Sequence, residues 1–316
     1  CVIGGTGSLG QQLVRLILAS GVEKVVVFSR DEQKQNTMNE ELKDERVRYF
    51  MGDIRDRNRL ERGLAGVDYV IHAAALKIVP ALEYNPSEAI QTNINGTQNV
   101  IDACLDRGVD KLLFVSSDKA VAPINLYGAT KLVGEKIVIQ SNSYTGKHGT
   151  KFACVRYGNV LNSRGSVIPL WQKQAAAGEQ ITITSARMTR FLISVKQAAR
   201  FVSSSLEMMQ GGEIFVPRIP SMKISYMAKA IAPDAPFRII GIRPGEKIHE
   251  TLISELESVR TKRLSDRYVI LPDQPWWTQE QYAGDAMVPE GWSYTSDKND
   301  WMISPLELAK LLKEDE

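Results

Sequence analysis

Cysteine is scarce in this chain. Cys1, Cys104 and Cys154 are the only three, widely spaced and set among apolar neighbours. That excludes a disulfide framework and a cysteine zinc site, and no metal is expected. They read as small core residues in a reducing compartment. An excess of one charge is missing too. Lys and Arg number 39 against 37 Asp and Glu, a net charge of +2. Such a balance gives no electrostatic case for nucleic acid or an anionic membrane surface. Any anionic ligand must then be met by a local cluster of basic groups. No run of 18 apolar residues occurs, so no membrane span is expected. No signal peptide is read either, and the expected location is cytoplasmic. The chain opens inside a strand without an initiator Met, so a few residues are expected to precede Cys1.

What is present is a globular composition, 43% apolar and 24% charged over 316 residues. That length suits one large domain or two fused units. The first half alternates two periodicities. β-Branched runs at Cys1–Ile3, Val25–Phe28, Val47–Phe50, Tyr69–Ala73, Leu112–Ser116 and Phe152–Arg156 are separated by helical patterns. Continuously apolar strands alternating with helices imply a parallel sheet covered on both faces. The expected fold class is α/β, a Rossmann-type doubly wound sheet with a smaller C-terminal cap. The cofactor domain is expected at 1–160, with return elements at about 188–216, and the cap at 161–187 and 217–316. After Arg156 prolines shorten the elements. Helices are expected over Val167–Ala177, Val195–Met209 and Pro305–Leu312, and an irregular surface segment over Asp273–Gly291.

Gly4, Gly7 and Gly10 form a GxxGxxG turn between the first strand and helix. Glycine lets the backbone approach a pyrophosphate, and the helix N-terminus offers N–H groups and a positive dipole end. Thr6, Ser8 and Leu9 belong to the same turn. The second strand ends in Ser29 and Arg30, where an NAD site usually has an acid. Arg30, with Lys34 as a second cation, can pair with a 2′-phosphate, so NADP is the expected cofactor. Asp53 and Ile54 follow the third strand, and Asp53 can accept from an adenine amino group. Ala73, Ala74 and Ala75 are small enough for a cofactor to lie against the fourth strand's end. Lys77 and Asn93 complete this set, although a plain structural role fits both equally well.

Tyr127 and Lys131 stand four apart at a helix start and share a face. A phenol is a poor base at neutral pH, and a nearby ammonium lowers its pKa. Lys131 would also hold the nicotinamide ribose. Ser117, at the end of the fifth strand, can bond the substrate oxygen being oxidised.

These residues together resemble the extended short-chain dehydrogenase/reductase family. Within it, the run SSDKAVAPINLYGATK (Ser116–Lys131) is similar to the UDP-N-acetylglucosamine 4,6-dehydratases that invert C5, the first enzymes of the pseudaminic acid route. So are FSRDEQKQ, HAAALKIVPALEYNP, RYGNVLNSRGSVIP, MTRF and RPGEKIHE. The resemblance implies a lyase acting on UDP-N-acetylglucosamine, in a homo-oligomer. It implies that Asp118 protonates the leaving C6 hydroxyl and that Lys119 removes the C5 proton. Lys119 then needs a depressed pKa, expected from Lys131 and the oxidised ring, and Asp118 a raised one, expected from burial. Arg190, Arg243 and Lys247 are expected to meet the diphosphate, with Glu246 on a ribose hydroxyl or Arg243. Tyr157, Asn159, Val167 and Lys77 are expected to line the cofactor or sugar. His72, His249 and the Trp276–Trp277 pair are read as structural.

Three other readings remain. A UDP-sugar C4 epimerase would keep Ser117, Tyr127 and Lys131 but needs no Asp118–Lys119 pair. A dehydratase that retains C5 is not excluded by Lys119 alone. A non-enzymatic NADP-sensing regulator typically loses the Tyr/Lys pair that stands here.

Overall fold

The computed structural model describes residues 1–146, 149–162, 166–274, 277 and 280–313. Its first half is strand and helix in turn: β1 (Val2–Ile3), α1 (Ser8–Ala19), β2 (Val25–Ser29), α2 (Glu32–Leu42), β3 (Val47–Met51), α3 (Arg57–Gly63) and β4 (Tyr69–His72). There follow α4 (Val79–Tyr84), α5 (Pro86–Ala89), a π-helical stretch Ile90–Asn95, α6 (Gly96–Arg107), β5 (Lys111–Val115), α7 (Leu126–Gln140) and β6 (Lys151–Val155). The strands are parallel in the order β3-β2-β1-β4-β5-β6. This is the doubly wound arrangement expected from the apolar runs. Helix α1 buries Leu13, Val14 and Leu18 on one stripe and packs on α9 (Val195–Met208). The start of α9 is fixed by a capping box between Ser194 and Gln197.

The second half divides differently from the expectation. In chain order it holds β7 (Asn159–Val160), α8 (Val167–Ala176), β8 (Ile181–Ile183), β9 (Thr189–Ile193), α9, β10 (Ile214–Pro217), β11 (Ser221–Lys223), α10 (Ile224–Ile231) and β12 (Phe237–Ile239). After these come β13 (Thr251–Ile253), β14 (Thr261–Arg263), β15 (Arg267–Ile270), β16 (Ala286–Met287), β17 (Tyr294–Thr295) and α11 (Pro305–Lys313). Strand β10 joins the main sheet beside β6, and β15, β14 and β16 continue it antiparallel to ten strands. Strands β14, β15 and β16, in the span assigned above to the cap, therefore extend the large sheet, where Tyr268, Val269 and Ile270 bury their side chains in its core. Conversely β9, read as a return element, pairs with β7 and β11 in a separate small sheet. The cap has its own core of Leu161, Ile168, Trp171, Ile183, Met222 and Leu308, among others.

Cys104 and Cys154 are buried as expected, whereas Cys1 is only partly so. Trp277 stacks on Tyr282, with centroids 6.2 Å apart, which makes it a packing residue; Trp276 lies outside the described residues. Among the described residues no helix is long and apolar enough to cross a membrane, and no His, Cys, Asp and Glu group is placed to hold a metal.

Candidate active site

Parallel strands put all their C-terminal ends on one edge, and the order reverses between β1 and β4. An open α/β sheet binds ligands at such a switch point. Gly4 leaves β1 with φ +85°. A Cβ on Gly10 would lie 2.4 Å from the Gly4 carbonyl oxygen, so only glycine lets α1 pack on the turn. The N-cap of α1 is Gly7, with no capping side chain. Thr6 is buried beneath the turn and its carbonyl accepts from Gln11. Ser8 and Leu9, half-buried, open the helix, and Ala73 to Ala75, also half-buried, follow β4. A Cβ on Gly4 would lie 2.9 Å from the Ala74 backbone nitrogen, so only glycine fits against the end of β4. This turn and its uncapped helix end fit a dinucleotide pyrophosphate.

At the end of β2, Arg30 is half exposed and lies 3.6 Å from Asp53. Asp53 also holds Arg55 at 2.8 Å. Burial raises its pKa, but the bonds from Arg55 and the nearby Arg30 bring it below the usual range. Lys34 pairs with Asp31, and the Ser29 hydroxyl accepts from Gln35 at 2.9 Å. Ile54 is buried against Gly96. Of the expected phosphate contacts, Arg30 keeps a half-exposed guanidinium with only the longer 3.6 Å pairing to Asp53, whereas Lys34 and Ser29 are engaged at closer range within the protein.

Asn93 is engaged within the protein. It donates to the Leu76 carbonyl and to Thr130, and accepts from the Leu76 N–H at 2.8 Å. It ties the segment after β4 to α7. Lys77, exposed at the end of that segment, has its pKa lowered by surrounding atoms and then by Lys119.

The end of β5 carries the densest chemistry. Ser117 is extended, donates to Asp118 at 2.8 Å and caps the turn Asp118–Ala120 by accepting from the Lys119 N–H. The Lys119 ammonium lies 3.0 Å from Asp118 and 3.5 Å from Glu250. Asp118 is 1% exposed and Glu250 3%, and each has one carboxylate oxygen with no partner among the described residues. Burial alone would lower the Lys119 pKa, but the two carboxylates hold it above the ordinary lysine value. This corrects the expected depression: Lys131 does not face Lys119, and carboxylates do.

Helix α7 brings Tyr127 to this turn. Burial raises the Tyr127 pKa, opposed by Lys119 and by a hydrogen bond with Ser117. The expected lowering by Lys131 is not found, because the Lys131 ammonium stands 3.9 Å over the Phe114 ring. Burial pushes Lys131 down to about 8, with Glu135 pulling the other way. Tyr157, buried beside Tyr127, is raised by burial, and its carbonyl accepts from the Asp118 N–H. Asn159 is exposed just beyond it.

The cap side is less complete. Arg190 donates to the carbonyls of Thr189, Lys247 and Ile248 and lies 3.8 Å from Glu250. It braces the backbone that carries Glu250. Lys247 donates to the Val121 carbonyl. Arg243 is half exposed and pairs with Glu246 at 3.8 Å. Among the described residues neither joins the ion cluster. Val167 begins α8 and packs on the cap core. His249 bonds Thr189, and His72 is buried beside Thr97. Glu250 was missed as a site residue. It stands in the run RPGEKIHE, but its partner Lys119 lies in the other half of the chain.

Residues 1–272 match the family model described as polysaccharide biosynthesis protein. A protein of Campylobacter jejuni subsp. jejuni (strain 81-176) named UDP-N-acetylglucosamine 4,6-dehydratase (inverting) is 46% identical, covering 100% of this chain and 97% of its own. A Rickettsia rickettsii protein named UDP-glucose 4-epimerase is 40% identical over 86% of this chain and 82% of its own. The crystal structure of Pen from Bacillus thuringiensis superposes with a TM-score of 0.92 at 37% identity, covering 99% and 96%. With its doubly wound sheet, glycine turn and Tyr127–Lys131 pair, the chain belongs to the polysaccharide biosynthesis family of extended short-chain dehydrogenase/reductases.

Proposed function

We propose that this chain is a UDP-N-acetylglucosamine 4,6-dehydratase that inverts C5, working with NADP as resident cofactor. The observation that carries the reading is the Asp118–Lys119 pair beside Tyr127, its carboxylate buried and its ammonium partly so. Oxidation at C4 alone needs only the tyrosine and its lysine. An adjoining acid and base are what elimination adds. The name of the 46% identical Campylobacter relative supports substrate and stereochemistry. Arg30, exposed at the end of β2, supports a 2′-phosphate.

A bound nicotinamide dinucleotide supplies a hydride acceptor at the start and returns the hydride at the end. Gly4, Gly7, Gly10 and Arg30 would hold it, and Lys131 its ribose. Tyr127 removes the C4 hydroxyl proton as that carbon is oxidised. The resulting ketone acidifies the hydrogen at C5. At 3.0 Å, one proton moving from Lys119 to Asp118 makes a neutral amine and a carboxylic acid together. Lys119 then takes the C5 proton, and Asp118 gives its proton to the C6 hydroxyl, which leaves as water. With the hydride restored to C6, a solvent-derived proton delivered to the opposite face of C5 completes the inversion. The product class would feed pseudaminic acid and surface polysaccharide synthesis, in a cytoplasmic homo-oligomer.

The test is incubation with UDP-N-acetylglucosamine in deuterated water, followed by NMR. Loss of one water, deuterium at C5 and an inverted ring are expected. Tyr127→Phe should cut turnover by about two to four orders of magnitude. A sugar altered only at C4 would favour the second reading, an epimerase, which the 40% identical relative's name supports. A dehydrated product with C5 unchanged would reject the inversion. The cofactor released on denaturation should carry a 2′-phosphate.

A further inference from the structure

Glu250 has no part in the steps above, yet it is built into the site. It precedes β13 and is 3% exposed. Ser296 pins its backbone on both sides, the Glu250 N–H donating to the Ser296 hydroxyl and the Ser296 N–H to the Glu250 carbonyl, each at 2.9 Å. One carboxylate oxygen meets Lys119 at 3.5 Å and Arg190 at 3.8 Å, and the other has no partner among the described residues. Arg190 already spends its guanidinium on three carbonyls. Lys119 is therefore the main ionic partner of Glu250.

The elimination makes this pairing consequential. When Asp118 takes the proton it becomes neutral and stops holding Lys119. Glu250 is then the carboxylate left beside the amine. As Lys119 removes the C5 proton it becomes an ammonium again, in a site with little water. An anion fixed near that developing charge strengthens the base. We propose that Glu250 is the positioning residue of Lys119, fixing its place and its affinity for the proton and so controlling hydrogen removal at C5. The inference rests on the dehydratase reading above. The other charged groups around Lys119 are Asp118 on its own turn, Arg190 on β9, Lys77 after β4 and Lys247 before Glu250, and the titratable Tyr127 hydroxyl on α7 stands beside them. Three of these are cations, and among the described residues Asp118 and Glu250 are the carboxylates that raise the proton affinity of Lys119.

The experiment uses the full chain and Glu250→Gln, which keeps the shape and removes the charge. In protein without substrate, lysine labelled at Cε is titrated by NMR. The Lys119 midpoint should fall by about one pH unit or more in the variant. With UDP-N-acetylglucosamine in deuterated water, the high-pH limb, where C5 deuterium uptake coupled to dehydration falls as the Asp118–Lys119 pair loses its shared proton, should move to lower pH by a similar amount. Its plateau should fall about tenfold or more, as expected of a weaker base, with KM changed less than threefold. Glu250→Asp should recover part of both effects. A merely structural role would lower melting temperature or raise KM without moving either midpoint. An unmoved Lys119 titration overturns the proposal, as does an unmoved limb with a full plateau. A wild-type chain that dehydrates nothing, while its Lys119 midpoint still moves in the variant, would overturn the dehydratase reading and the control of C5 but leave the pairing itself established.

Discussion

Lys131 shows what a single buried charge does here. It is 3% exposed, and burial holds its pKa at about 8. An unfolded lysine binds its proton more tightly, so between about 8 and the ordinary value the unfolded chain carries more of this proton. Stability from this group therefore rises with pH through that window, and below it the buried charge is a full cost to folding. Lys131→Met removes the cost, and Glu135 keeps its paired bonds from Arg156 at 2.7 and 2.8 Å. The variant should melt no lower than wild type at pH 7, yet lose activity by at least about a hundredfold. Calorimetry with a turnover assay checks both; a lower melting temperature with activity retained would mean that Lys131 serves the fold. The pair Tyr127 and Lys131 was legible in the sequence because both residues sit on one helix turn. The charge state of Lys119 was not, since Glu250 reaches it from across the fold.

Helix α7 carries the chemistry because of how its first turn is seated. Asn125 caps it by accepting from the Gly128 N–H at 2.7 Å. Gly128 packs directly on the Asp118–Ala120 turn, where an added Cβ would lie 2.2 Å from the Lys119 carbonyl oxygen. Alanine normally stabilises a helix interior over glycine by about 0.5–1 kcal/mol. Here the obstacle is backbone, so the turn bearing Asp118 and Lys119 must move. Gly128→Ala should melt below wild type and lose C5 deuterium uptake by about tenfold or more while the glycine turn still binds cofactor. A variant as stable and active as wild type would show that the turn tolerates displacement. The elements of the first half were legible because buried parallel strands are continuous apolar runs. In the second half β13, β14 and β16 have three, three and two residues, too short for any period, and their place depends on partners remote in sequence. The π-helical stretch at Ile90–Asn95 was equally hidden, because Asn93 is fixed by Leu76 and Thr130 rather than by its own neighbours.

Across the molecule, Asn125 joins the sheet side to the cap side. Its side chain caps α7 on the sheet side and donates to the Gly245 carbonyl at 2.7 Å. Gly245 holds φ +79° in the turn Arg243–Glu246, with Asn125 packed where its Cβ would be. The turn that carries the exposed Arg243 is thus anchored to the helix that carries Tyr127. A nucleotide diphosphate gripped by this turn would be held in register with the catalytic end of α7. Asn125→Asp separates the two duties. Its carboxylate still accepts from Gly128, so α7 keeps its cap. It cannot donate to Gly245, and two oxygens then oppose each other. KM for UDP-N-acetylglucosamine should rise about tenfold, the equivalent of about 1.4 kcal/mol, while kcat changes less than threefold. Steady-state kinetics read this split directly. A fall in kcat at constant KM would place Asn125 in the chemistry of α7 and detach the Arg243 turn from substrate binding.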